Sequence, residues 1–325
     1  MLLRCGQNNE RVNCKMFINK YDNKKYYTLN NYYKDLYNSK VFKVSLNTNL
    51  SCPNRENNKS GCIYCSKNYS GDFGGNPHEP LKVQFENIKN MLHKKWPKAK
   101  YIAYFQANTN TYAPLHTLKN YFEEVLTYDN VIGINIATRS DAISDEVLNY
   151  LSELNKRTDL TIELGLQSMH EETLKLIKRG HDLNNFETMY KKLKSHNIKI
   201  VVHIINGLPY ETKEMMIETV KYLNNLNIDG IKIHMLHILK DTELDEYYKK
   251  NKFNLLSKDE YIDIVISQLE YLNSKVVIHR ITGDPNVDDL VEPTWLVKKF
   301  VLLNDIDKEQ KRQNSYQGKK CQKSL

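Results

Sequence analysis

Three cysteines stand close together in this chain, Cys52, Cys62 and Cys65, in the pattern Cys-x9-Cys-x2-Cys. Thiolates select soft metals and iron–sulfur clusters. Two cysteines separated by two residues can reach one metal centre, and a loop can bring in the third. Three thiolates can hold three irons of a four-iron cubane and leave the fourth open to a substrate or cofactor. Clusters that only carry electrons commonly use four cysteines, so a set of three is informative. Gly61, Gly71, Gly74 and Gly75, four of the chain's 12 glycines, fall in the same stretch. Glycine lets a backbone turn through positive φ and come close to a bulky group. Two other readings stay open on spacing alone. A zinc knuckle would add a histidine such as His78, although structural zinc usually takes two ligand pairs and one pair is present. A redox Cys-x-x-Cys would leave Cys52 unexplained.

The rest of the chain must position these thiols. It has 325 residues, 40% hydrophobic and 26% charged, enough for a large core. No apolar run approaches the roughly 18 residues of a membrane span, and the apolar start at Met1-Leu2-Leu3 is too short for a signal peptide. A cytoplasmic protein with no membrane contact is expected. Cys5, Cys14 and Cys321 are scattered, so neither a disulfide framework nor a second cluster is expected. The net charge of +8 permits a nucleic-acid partner; a compositional drift toward Lys, Asn, Ile and Tyr explains it equally well. Only eight of the 47 cationic residues are Arg. Arg55, Arg139, Arg179 and Arg280 each sit beside a motif, where a planar fork of donors has a use.

Residues 1–38 are polar, rich in Asn, Lys and Tyr, and show no clear period; they read as an N-terminal extension that packs on the main domain. From there strand and helix signals alternate. Apolar strands are expected at 41–46, 101–105, 131–137, 160–166, 198–205, 230–236 and 276–278. Helical segments are expected between them, including one opened by the capping box Ser257-x-x-Glu260. The strands read as apolar throughout, as in a parallel sheet buried on both faces. The fold class is α/β: six strand–helix units and a closing strand form a partial (β/α)6 barrel over 39–306, with a full eight-unit barrel as the alternative. Chemistry then belongs at the C-terminal ends of the strands, where the cysteine loop falls. A basic tail, 307–325, is expected to be solvated.

At these residues the chain resembles a known family. Ser51-Cys52-Pro53-Asn54-Arg55, Gly61-Cys62-Ile63-Tyr64-Cys65-Ser66 and Ser70-Gly71-Asp72-Phe73 look like the cluster loop of a bacterial radical S-adenosylmethionine (SAM) family related to Elongator-type enzymes. The likeness continues through Gln106, Thr109-Asn110-Thr111, Ala137-Thr138-Arg139, Glu163–Ser168, Arg179-Gly180-His181, the segment 203–211, Gly230–His234, His279–Asp284 and Tyr316-Gln317-Gly318. The nine-residue first gap is typical of that branch.

The resemblance implies a radical SAM partial barrel with N- and C-terminal extensions. It implies a [4Fe-4S] cluster on Cys52, Cys62 and Cys65, SAM on the open iron, and a 5′-deoxyadenosyl radical that removes hydrogen from substrate. By the same analogy Glu163 binds the SAM ribose; a buried acid paired within the barrel is the alternative. Gln106, Asn108 and Gln167 line the SAM or substrate site. Arg139 binds a carboxylate, of methionine or of substrate. His203 and Gly207-Leu208-Pro209 hold adenine, and His234 and His237 face the substrate. The expected partners are a tRNA, modified on the C5 side chain of a wobble uridine, and a low-potential donor such as flavodoxin or ferredoxin; no stable protein partner is inferred. One concrete form of the reaction trims a carboxymethylaminomethyl arm to an aminomethyl arm. Two alternatives remain: the same chemistry on a small molecule or peptide, and a non-catalytic iron–sulfur or zinc protein.

Overall fold

The structure is a computed structural model that describes residues 20–57, 59–66 and 74–321. Cys5, Cys14 and the Ser70-Gly71-Asp72-Phe73 motif lie outside the described residues. Seven parallel strands form one sheet in the order β1-β2-β3-β4-β5-β6-β8. These are β1 (Val41–Leu46), β2 (Lys100–Phe105), β3 (Val131–Thr138), β4 (Asp159–Gln167), β5 (Lys199–Asn206), β6 (Gly230–Met235) and β8 (Val277–Arg280). Helices α2 (Leu81–His93), α3 (Leu115–Leu126), α4 (Asp145–Asn155), α5 (Glu171–Leu176), α6 (Leu183–Ser195), α7 (Lys213–Asn225) and α9 (Lys258–Tyr271) connect them. Six units and a closing strand are present, as expected, and the sheet stays open between β1 and β8. Caps place the helix starts: Ser144, Asp182, Thr212 and Ser257 each accept a backbone N–H, worth about 1 kcal/mol apiece. The Ser257–Glu260 capping box is formed.

The strands are not apolar throughout. In β6, Ile231, Ile233 and Met235 are buried in the core, while Lys232 and His234 line an interior cleft. Lys43 and Ser45 of β1, Tyr104 of β2 and Glu163 and Gly165 of β4 line the same cleft, again at alternate positions. The helices cover the apolar face with Phe85, Leu118, Phe122, Leu151 and Phe186. The sheet is therefore two-sided in the way a period of two allows. Burial hid the alternation because Tyr and Ala occupy inward positions beside the charged ones.

The segment before β1 has more order than its composition promises. Thr28 caps helix α1 (Leu29–Tyr37) and forms a parallel bridge with Ile278, whose N–H donates to the Tyr27 carbonyl at 2.8 Å. Helix α1 touches both β1 and β8, so it spans the gap at the base of the sheet. Its buried side chains are Asn31 and Tyr33, which a count of aliphatic spacing overlooks.

The solvated tail expected from 307 onward is also corrected. Helix α10 (Lys299–Arg312) runs through that point with Leu302, Ile306 and Gln310 buried. Beyond it the fully buried Gln317 accepts from Tyr27 N–H and donates to the Asn273 and Val276 carbonyls. Three further elements went unforeseen: helix α8 (Glu243–Asn251) and the short antiparallel pair β7 (Ile238–Leu239) and β9 (Leu290–Glu292). Among the described residues no helix is long and apolar enough to cross a membrane.

Candidate active site

The loop after β1 carries the cysteines to the mouth of the interior cleft. Cys52 leads into a short 3-10 turn, Pro53–Arg55. Arg55 donates through Nη2 to the Cys65 and Ser66 carbonyls, at 2.9 and 2.6 Å, and lies against Gly61, whose φ is +85°. Asn54 donates to the Lys178 carbonyl at 2.7 Å and stands 3.5 Å from Cys62 Sγ. A Cβ on Gly180 would come within 2.4 Å of Asn54 Oδ1, so the Arg179-Gly180-His181 motif is the seat of the cysteine loop. The backbone of Ile63 bonds to Ile177 and Leu244. An apolar cluster separate from the main core, with Ile63, Leu174, Ile177, Leu208, Leu236 and Phe253, supports it from behind.

All three thiols line one cleft of about 410 Å³. A hydrogen bond from Cys65 holds the Cys62 thiol well below its usual range against burial, and Arg179 and Arg139 pull the same way. The hydrogen bond with Cys62, and then burial, push the Cys65 thiol up in turn. Metal binding requires thiolates, and this environment favours the first of them. Among the described residues no three cysteine, histidine or carboxylate side chains converge on a position for a single ion. His78 does not line the cleft that holds the three thiols.

Gln106, Asn108, Arg139, Glu163, Gln167 and His203 line the cleft with the cysteines; Gly207 does not. Gly207 turns at φ +83° against Leu236 and Leu256 and so belongs to the supporting wall. Gln106 accepts from Ser45 at 3.0 Å. Asn108 and Gln167 sit at strand ends with φ of 65° and 71°, an uncommon backbone for residues with side chains that clusters at functional sites. The β4–β5 register shifts beside Gln167. Asn110 of the Thr109-Asn110-Thr111 motif is structural: it is buried, donates to the carbonyls of Phe105, Ala107 and Ala137, and accepts from Thr48.

The floor is a ring of polar side chains, one from each strand. Glu163 of β4 sits at its centre. It binds Lys43 and Lys232 at 2.5 Å each, and Asn135 and His203 at 2.9 Å each. Lys232 also donates to Tyr104 at 2.8 Å, and Lys43 lies 3.1 Å from His279 across the open edge. Burial alone would push the Glu163 carboxyl up; Lys232, Lys43 and His203 together hold it well below the carboxylate range. Burial drives His203 down to about 4 and Lys232 to about 7, in each case against the pull of Glu163. Glu163 thus meets four partners through its two oxygens, the paired arrangement given above as the alternative to ribose binding. Arg139 is likewise engaged: its Nε and Nη2 fork onto Asp141 at 2.8 and 2.7 Å. Sequence reasoning assigned no role to Lys43, Lys232, Tyr104 or Asn135. The available signal was a lysine at an alternate position inside an apolar strand.

Open polar capacity remains above the floor. Arg139 Nη1, Arg179 Nε and Gln167 Oε1 are buried without a hydrogen-bond partner among the described residues. A Cβ on Gly165 would strike Arg179 and Gln167 at 2.9 Å, so glycine keeps that stretch clear. Unfilled donors and acceptors around a cleared strand end fit a polar nucleoside such as SAM beside a cluster. A second cavity, about 400 Å³, lies at the other end of the strands around Asp159, Lys199 and Asp229. Its acids are already paired, Asp159 with Tyr37 and Lys199 and Asp229 with Lys194, and it has no cysteine.

Comparison with known proteins bears on the family and the fold. The Radical SAM superfamily model matches residues 31–223, and the Radical SAM C-terminal domain model matches residues 228–312. YtqA, an uncharacterized protein of Bacillus subtilis (strain 168), is 48% identical over 298 residues, 91% of this chain and 92% of that protein. A tRNA uridine(34) acetyltransferase of Methanocaldococcus infernus is 29% identical over 137 residues, 41% of this chain and 25% of that protein. Among solved structures, the archaeal Methanocaldococcus infernus Elp3 with an N-terminal deletion superposes with a TM-score of 0.66 at 20% identity, over 86% of this chain and 64% of that one.

Proposed function

Because the chain belongs to the radical SAM superfamily, whose enzymes use a [4Fe-4S] cluster and SAM, we propose that Cys52, Cys62 and Cys65 hold that cluster and that the enzyme trims the C5 side chain of a tRNA wobble uridine. The observation that carries the reading is the cleft: three thiols, five cationic side chains (Lys43, Lys232, Arg139, Arg179, Arg280) and one carboxylate, Glu163, line it. When bound, cluster and SAM supply a 5′-deoxyadenosyl radical that takes hydrogen from substrate. Gln106, Asn108, Gln167 and the free Nη1 of Arg139 would hold SAM, with Gly165 leaving room. Glu163 and His203 act from below as a fixed, ion-paired floor.

Similarity to a protein named for tRNA uridine 34 supports a tRNA substrate, as does the charge of +8. Removal of the carboxymethyl group from a carboxymethylaminomethyl arm consumes SAM and water. It leaves an aminomethyl arm, glyoxylate, methionine, 5′-deoxyadenosine and a proton. Radical SAM enzymes need a reductant, and flavodoxin or ferredoxin suits that role. Splayed anticodon bases stack on aromatic side chains; Tyr210, 61% exposed and edge-on to Phe253, offers such a surface. The test is nucleoside mass spectrometry of tRNA from cells with and without the gene. The deletion strain should accumulate carboxymethylaminomethyluridine, and purified enzyme, SAM and reductant should convert it. Unchanged uridines in the deletion strain would rule out the tRNA reading.

A further inference from the structure

The β6 and β8 wall of the cleft carries more positive charge than its carboxylates neutralise. Lys43 and Lys232 share one acid, Glu163. Above them Arg280 and Lys299 share one acid, Asp284, at 3.0 and 2.7 Å. The histidines between these groups add no compensation: burial first, then neighbouring cations, hold His203, His234 and His279 neutral. His234 Nε2 is buried with no hydrogen-bond partner among the described residues, and its ring lies 5.2 Å from that of His203. Lys232, His234 and Arg280 all line the cleft. Lys232 is buried and Arg280 half-buried, and an anion between them in the cleft would give His234 Nε2 the partner it lacks.

We propose that Lys232, His234 and Arg280 form a subsite for a carboxylate of the substrate. An ammonium and a guanidinium fork suit that group, and the imidazole can donate the remaining bond. The three residues line the interior cleft that also holds the cysteines. Arg139 forks onto Asp141 through both Nε and Nη2, whereas Arg280 meets Asp284 through Nη2. The inference rests on the reading above, in which the arm ends in a carboxylate, and it moves recognition of that carboxylate to β6 and β8.

The test uses anaerobically reconstituted holoenzyme saturated with SAM and labelled with nitrogen-15 in histidine. N-methylglycine, which reproduces the end of the arm, is titrated while the His234 imidazole signal is followed; methylamine and inorganic phosphate are the comparison probes. N-methylglycine should give a saturable shift and methylamine none. Arg280→Gln and Lys232→Met should each weaken the N-methylglycine titration by about tenfold or more, with SAM affinity held within about twofold. Arg280→Gln alone suffices if Lys232→Met does not fold, since Arg280 is partly exposed. No saturable shift, equal response to phosphate, indifference to Arg280→Gln, or a parallel loss of SAM affinity would each overturn the subsite. The titration contains no RNA, so its outcome is separate from the nucleoside comparison that tests the tRNA reading.

Discussion

Cys62 is the most buried of the three thiols, and its ionisation is favoured by Cys65, Arg179 and Arg139. Replacing Cys52, Cys62 or Cys65 by Ala should therefore remove the brown cluster after anaerobic reconstitution, while Cys321→Ala should retain about four irons. Iron and sulfide analysis checks this, and stoichiometric zinc without iron would contradict it. The grouping of the three cysteines was legible in the sequence, because thiols in one loop need no tertiary information to come together. Glu163 was legible as a residue of the cleft, but its partners were not. Its four partners come from β1, β3, β5 and β6, and only the closed register brings them together. His203 shows the cost of that packing. Folded, it titrates near 4, chiefly through burial; unfolded, at about 6.5. Between those values the unfolded chain binds a proton that the folded chain refuses, so stability falls as pH drops below about 6.5. From about pH 7.5 to about pH 5.5 this residue should cost on the order of 1 kcal/mol. Urea unfolding of the apoprotein at both pH values should show that loss, and His203→Gln should lose correspondingly less; identical pH dependence in the two proteins would contradict the assignment.

At the level of elements, the seven strands were readable because each is a largely apolar run of four to nine residues bounded by polar turns. The two-sided character of the sheet was not, since it depends on which face curls inward. Helix α1 and the C-terminal segment were missed for a related reason: side-chain amides and tyrosines anchor them. Gln317 joins Tyr27, Asn273 and Val276 in one buried set of hydrogen bonds. Gln317→Ala would strand those backbone groups and should cost about 2 kcal/mol or more, measured as a lower urea midpoint at unchanged slope. A cost near zero would mean that the segment beyond α10 contributes little to the fold. Gly180 is the equivalent point for the cysteine loop. At φ +84° and 2.4 Å from Asn54, an added methyl meets both backbone strain of about 1–2 kcal/mol and a collision. Gly180→Ala should lower stability and iron content together; full iron loading at wild-type stability would show that the loop is seated elsewhere.

For the whole molecule, the parallel sheet, the strand-end cysteines and the cationic cleft belong to one arrangement, in which chemistry sits where strands end and helices begin. The family was visible in ordered motifs spread over most of the chain, yet the substrate was not, because a surplus of lysine reads the same in a drifted composition and in an RNA-binding surface. Salt separates these. Affinity for tRNA should fall linearly in log–log terms as salt rises, and a weak, salt-independent interaction would favour a small substrate. The most direct test of the central claim is to follow one hydrogen. Reduced holoenzyme and SAM are given tRNA whose carboxymethylaminomethyl arm carries deuterium on the carbon between nitrogen and carboxylate. The account requires 5′-deoxyadenosine that has gained deuterium, formed in step with the aminomethyl arm and glyoxylate. Unlabelled 5′-deoxyadenosine beside unaltered tRNA would contradict it.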